Sequence, residues 1–156
     1  MKRPVGFFWH ARHSQIYPAL AALEAAGLVS HTVVEQRDRP AKKVYAVTDA
    51  GRAALRAWVT APLDMPVVRD ELVLRAYCVW QADPAAARML FERHAALHEA
   101  QLAQYEAYRQ QMETAAGDAL PGAATPEFAT YAALRRGIGY EREYAAWCRW
   151  LAAALA

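Results

Sequence analysis

The chain has 156 residues, 56% hydrophobic and 22% charged, which is enough to bury one respectable core or two small ones and too apolar for a disordered polymer. Arg or Glu interrupts the longest apolar runs, and no signal-like apolar stretch follows Met1-Lys2-Arg3-Pro4, so neither a membrane span nor export is expected and the cytoplasm is the expected compartment. The net charge of +2 hides an asymmetry: residues 1–60 carry nine basic against four acidic side chains, and residues 61–156 carry nine against twelve. A basic front on an acidic back is the pattern of a small DNA-reading domain joined to a dimerising one.

In chain order, Ser14 is the expected N-cap of a helix from Gln15, with Ile16, Leu20 and Leu23 as its apolar stripe and Pro18 in its first turn. Gly27 is the expected stop, because glycine takes the left-handed conformation without steric cost. Val29–Glu35 and Lys43–Thr48 then read as two β-strands. The linker Gln36-Arg37-Asp38-Arg39-Pro40-Ala41-Lys42 between them makes a polar, cationic hairpin tip. Thr48 or Asp49 should cap a further helix with Leu55, Trp58 and Val59 inward, closed by Pro62 and Pro66 at the boundary between a domain 1–62 and a domain 67–156.

The second domain reads as three helices. Leu72, Val73, Ala76, Tyr77 and Trp80 form the apolar face of the first. Asp83-Pro84 starts a second that runs to about Thr114 through Leu90, His94, Leu97, Gln101, Tyr105, Tyr108 and Met112. Thr125-Pro126-Glu127 starts a third reaching Leu155, with Tyr131, Leu134, Ile138, Ala145, Cys148 and Leu155 inward. Two long amphipathic helices with an aromatic seam suggest an antiparallel hairpin that packs against a second copy. The expected fold class is therefore mainly α with a small β-hairpin.

Catalytic signatures are missing: there is no nucleophile elbow, phosphate loop, HExxH or meaningfully spaced carboxylate pair, so an enzyme is not expected. His94 and His98 stand at i and i+4, but no third ligand accompanies them, and neither a metal nor a cofactor is expected. Cys78 and Cys148 lack CxxC spacing and read as buried structural thiols. The many Tyr and Trp residues of the second domain read first as core or dimer seam. Trp80 and Trp147 are the candidates if some of them line a pocket for a planar effector.

The run Phe8-Trp9-His10-Ala11-Arg12-His13-Ser14-Gln15-Ile16-Tyr17-Pro18-Ala19-Leu20 is followed by Leu23-Glu24, Gly27-Leu28-Val29, Arg39-Pro40, Lys43-Val44-Tyr45 and Thr48-Asp49-Ala50-Gly51-Arg52. In that order these residues resemble the PadR family of transcriptional regulators, and Arg135-Arg136-Gly137-Ile138 through Glu141, Tyr144 and Trp147 looks like its C-terminal helical domain. The resemblance implies a winged helix-turn-helix plus a C-terminal long-helix dimerisation domain that often holds an effector-responsive surface. The Gln15–Ala26 helix would enter the major groove and the hairpin would be the wing. His13, Ser14, Gln15 and Tyr17 become candidate base and phosphate contacts, and Arg37, Arg39, Lys42 and Lys43 candidate wing contacts. The residue chemistry agrees: Gln can bond adenine edges twice, hydroxyls suit phosphate oxygens, and flexible cations reach the backbone.

A homodimeric repressor on a double-stranded operator, released by a small aromatic effector, is the function these expectations compose. Family members carry roughly two helices before the recognition helix, whereas about a dozen residues precede Ser14 here. Val5-Gly6-Phe7-Phe8-Trp9 reads as the end of the second, with the first missing. The alternative function is accordingly a helical dimerisation module with an incomplete DNA-binding domain, acting through mixed dimers.

Overall fold

A computed structural model describes residues 12–37, 39–117 and 122–156. The expected end of a helix at Val5–Trp9 lies outside them. The described residues fall into two compact units, one ending at Val67 and the other beginning at Val68.

In the first unit α1 spans His13–Ala25. It begins two residues before the expected start, and Ser14 is not its cap. Arg12 holds the extended N-cap backbone, and the Arg12 amide donates to the Gln15 side-chain oxygen at 3.1 Å. The earlier start moves Pro18 from the first turn into the helix, where it cannot supply the amide that the Ser14 carbonyl would accept. The other end is as expected: Gly27 takes φ +70°, and the Leu28 amide reaches back to the Leu23 carbonyl at 2.9 Å.

Strands β1 (Val29–Val34) and β2 (Lys42–Val47) pair antiparallel, from Val29 opposite Val47 to Val34 opposite Lys42. Thr48 then closes the unit. Its hydroxyl donates to the Gly27 carbonyl at 2.7 Å and accepts from the Gly51 amide at 3.0 Å, so one side chain ties the end of α1 to the start of α2 (Asp49–Val59). Gly51 is buried against Leu28 for this reason. Leu55, Trp58 and Val59, expected to face inward, are exposed, Trp58 at 74%. Their spacing does mark an apolar face, but no described residue covers it.

In the second unit α3 spans Glu71–Tyr77, a 3₁₀ turn follows at Val79–Gln81, α4 spans Pro84–Ala116 and α5 spans Pro126–Ala154. Asp70, Asp83 and Thr125 cap the three helices through their side chains, and Pro84 and Pro126 occupy first-turn positions where their missing amides cost least. With 33 residues, α4 is about 50 Å long and owes its persistence to α5 alongside it. One buried cluster joins Leu72, Phe91, Ala95, Tyr144, Cys148, Leu151 and Ala152, and a second joins Tyr105, Leu134 and Ile138.

Polar side chains stitch the same seam: Arg149 grips Glu99 with two bonds of 2.8 and 2.7 Å, Arg142 reaches Glu106 at 2.7 Å, and the Tyr131 hydroxyl donates to Glu113 at 2.9 Å. Of the two thiols expected to be buried, Cys148 is, and burial pushes its titration up to about 11, whereas Cys78 is exposed.

Candidate nucleic-acid interface

The candidate contacts come from two places in the first unit. At the start of α1, Ser14, Gln15 and Tyr17 are exposed, Tyr17 at 65%; the backbone of His13 opens the helix, and its side chain lies outside the described set. A helix start concentrates unpaired amides and the positive end of the helix dipole, which is what a phosphate oxygen seeks. Gln15 is already partly committed: its side-chain oxygen accepts from Arg12, leaving the amide nitrogen to offer to a base edge. A bidentate grip on adenine would require that capping bond to open. Arg12, exposed and one residue before the helix, stands beside these candidates, although the resemblance singled out only positions from His13 onward.

The wing supplies the second group. Lys42 and Lys43 occupy the last two rungs of the hairpin, opposite Val34 and Val33, and Arg37 and Arg39 lie in the loop beyond. All four are exposed, and none of them takes part in the ion pairs among the described residues. Cations left in water at the end of a hairpin keep their charge available to a polyanion, with affinity that falls as salt rises. Between the two groups lies a contact that sequence reading missed. His31 of β1 touches the Glu24 carboxylate of α1 through Nδ1, and its ring lies 5.4 Å from that of Tyr45, its partner across the strands.

The candidate effector residues are not brought together. Trp80 sits on the 3₁₀ turn, 77% exposed, while Trp147 is half-buried on α5, edge-on to Phe91 at 5.9 Å and to Tyr144 at 5.4 Å. A cavity of about 330 Å³ opens where α3, the turn and the start of α4 meet, lined by Arg75, Cys78, Val79, Ala82, Leu90 and Phe91. Neither tryptophan lines it, although Trp147 backs the Phe91 ring that does.

The polar centre of this unit was also not foreseen. His98, considered earlier with His94 as a metal ligand, meets Glu141 at 2.5 Å and stacks on Tyr144 at 4.3 Å. Among the described residues no group of three or more His, Cys, Asp or Glu side chains is placed to hold a metal ion. Nor is any helix among them long and apolar enough to cross a membrane.

The Tyr144 hydroxyl donates to Asp70 at 2.7 Å, and Asp70 also accepts from the Leu72 and Val73 amides. The Tyr144 bond, helped by those amides, holds the Asp70 carboxyl below its ordinary 3.8 against the opposing effect of burial. Burial, then the hydrogen bond to Asp70 and after it the Asp70 charge, drives the Tyr144 phenol well above its ordinary 10.0. A lowered carboxyl stabilises the fold above its ordinary value and loses that contribution as pH falls through the lowered one; a raised phenol contributes below 10.0 and loses it as pH rises beyond. Tyr144→Phe is expected to cost about 1.5–3 kcal/mol at neutral pH and to flatten the alkaline limb of stability, measured by urea unfolding from pH 3 to 11. An unchanged alkaline limb would exclude this role for the phenol.

Comparison with known proteins bears on both units. The profile described as the transcriptional regulator PadR-like family matches residues 1–57, and that described as virulence activator alpha C-term matches residues 68–156. The negative transcriptional regulator PadR of Bacillus subtilis is 30% identical over 148 residues, covering 94% of this chain and 80% of that protein. The crystal structure of Bacillus subtilis PadR in complex with operator DNA aligns with a TM-score of 0.83 at 28% identity, over 99% of this chain and 86% of the other. The same protein in complex with p-coumaric acid aligns at 0.80 with 27% identity, over 99% and 84%.

Proposed function

The chain belongs to the PadR-like family of transcriptional regulators, and from that premise we propose that it is a cytoplasmic homodimeric repressor that reads a double-stranded operator and releases it when a small aromatic molecule binds its helical half. The observation that carries this reading is the alignment of 99% of the chain with a PadR held on operator DNA.

In this reading residues 1–62 read DNA and residues 67–156 dimerise and sense the effector. The α1 start, with His13, Ser14, Gln15 and Tyr17, enters a major groove, and Arg37, Arg39, Lys42 and Lys43 hold the flanking phosphates. A two-fold dimer would set two such helices about one DNA turn apart on a pseudo-palindrome. The relative solved with p-coumaric acid directs attention to an aromatic acid as effector. The cavity at Leu90 and Phe91, backed by Trp147 and with Trp80 on the adjoining turn, is where we assign it. The effector would act by favouring a dimer whose helix spacing no longer matches the operator. The role is regulatory rather than catalytic and uses no cofactor.

Fluorescence anisotropy with duplex DNA from upstream of the chain's own gene, against scrambled competitor and at two salt concentrations, tests this. Gln15→Ala is expected to weaken selective binding about tenfold by removing a base contact. Arg39→Ala should weaken binding to all duplexes alike and lower the salt slope by about one. If neither substitution matters while the chain stays dimeric, the dimerisation-module reading takes its place.

A further inference from the structure

We propose that the cavity beside Phe91 takes a small monocarboxylate with a flat apolar body, and that Arg75 is the residue that selects the acid over its uncharged analogue. The inference deepens the effector reading given above and rests on it for the link to DNA release, though not for binding itself.

Among the described residues that line this cavity, Arg75 alone is charged. Val79, Leu90, Phe91 and the small Ala82 make the wall apolar, with the exposed Cys78 thiol at its edge. The Phe91 ring is backed by Trp147, edge-on at 5.9 Å, so the wall is flat and stiff there. The volume of about 330 Å³ lies near the lower end of small-molecule sites, which run from roughly 300 Å³ upward. One ring with a short polar arm suits that space. Apolar walls with a single cation give one carboxylate its partner, leave a second negative charge without any, and repel a cation.

The Arg75 guanidinium has the donors to spare. Its Nε and Nη2 both donate to a single oxygen of Glu71, at 3.1 and 2.5 Å. Both Nη1 hydrogens and the second on Nη2 find no partner among the described residues. That remaining edge is the planar fork that matches a carboxylate with two parallel bonds. Glu71 lies one turn earlier on α3, and both side chains are more than half exposed, so the pair holds weakly and leaves the guanidinium free to turn toward a ligand. The Asp83 carboxylate, just beyond the 3₁₀ turn, caps α4 through the Ala86 amide at 2.8 Å and does not line the cavity.

The test titrates the full chain with cinnamate and with cinnamamide, which share a shape and differ in charge, and follows heat of binding. In parallel, the rate at which a maleimide alkylates Cys78 is measured with and without each compound, which locates the bound molecule. Wild type is expected to bind cinnamate about tenfold more tightly than cinnamamide, with Cys78 protected by both. Arg75→Gln should weaken cinnamate about tenfold and leave cinnamamide within about twofold, abolishing the preference. Arg75→Lys, which keeps the charge without the fork, should restore part of it. Glu71→Gln should tighten cinnamate about threefold by removing a competing carboxylate. Melting midpoints show whether each variant folds as wild type does. Equal affinity of Arg75→Gln and wild type for cinnamate would sink the inference while leaving an effector site in place. Binding that leaves Cys78 unprotected, or no binding of either compound by wild type, would sink it as well. Acid binding through Arg75 with no change in duplex affinity on adding cinnamate would instead remove the effector reading and leave the ligand assignment standing.

Discussion

Phe91→Ala is expected to cost the helical unit about 3–5 kcal/mol, the range for deleting a fully buried aromatic ring. Phe91 is 1% exposed and stands where three elements meet: Leu72 of α3, Tyr144, Cys148 and Leu151 of α5, and its own α4. Its edge-on contact with Trp147 adds to the area it buries. The cavity that opens beside α3 already reaches this ring, so removing it would merge an internal void with an external one. The neighbours cannot close that gap without shifting α5, whose register is pinned by Arg149 on Glu99 and Arg142 on Glu106. Thermal unfolding followed at 222 nm should show a midpoint lower by about 10 °C for a chain of this size. Leu97→Ala, on the exposed side of α4, should change it by no more than about 1 kcal/mol. Equal losses at both positions would mean that α4 packs with a different face.

The second large effect is expected at Gly51. In a solvent-facing helix Gly→Ala gains about 1 kcal/mol from propensity, so an observer guided by helix content would predict stabilisation. The structure predicts the reverse. A Cβ on Gly51 would collide with the Leu28 carbonyl oxygen and come within 2.9 Å of the Val47 side chain. The backbone that would have to yield is the backbone Thr48 holds between Gly27 and Gly51. Gly51→Ala should therefore cost about 1–3 kcal/mol in the first unit, more than the propensity gain, and weaken duplex binding about tenfold. Because Gly51 and Phe91 belong to different units, the helical unit's own unfolding should be unaffected. Hydrogen exchange read separately over residues 29–59 and 84–154 distinguishes the two. Slower exchange in the wing of the variant would contradict the close approach.

The parts of this molecule readable from sequence were those fixed by local stereochemistry. Gly27 stopped α1, Asp83-Pro84 and Thr125-Pro126 opened α4 and α5, and the β-branched runs after Gly27 paired as a hairpin. The exposed candidates at the helix start and wing tip also followed from local pattern, because loop cations and cap residues have few places to go. The start of α1 did not follow. Ser14 ranks far above Arg12 as a cap, but the cap here is a backbone position served by Gln15. Contacts between distant residues were equally out of reach: His98 finds Glu141 across 43 positions, and Tyr144 finds Asp70 across 74. Periodicity identified the apolar face of α2 without saying what, if anything, covers it. Trp80 was grouped with Trp147 by residue type, a criterion blind to the fact that one crowns an exposed turn and the other lies half-buried beside Phe91.

The unequal fates of the two thiols have a practical side. Alkylating reagents attack thiolate, and a buried sulfur that ionises only near pH 11 presents almost none at neutrality and no path to it. Cys78, open to solvent, is in effect the chain's single address for a maleimide dye, with no engineered cysteine required. That address lies on the rim of the cavity beside Phe91, so a label there would be a built-in reporter of whatever enters it.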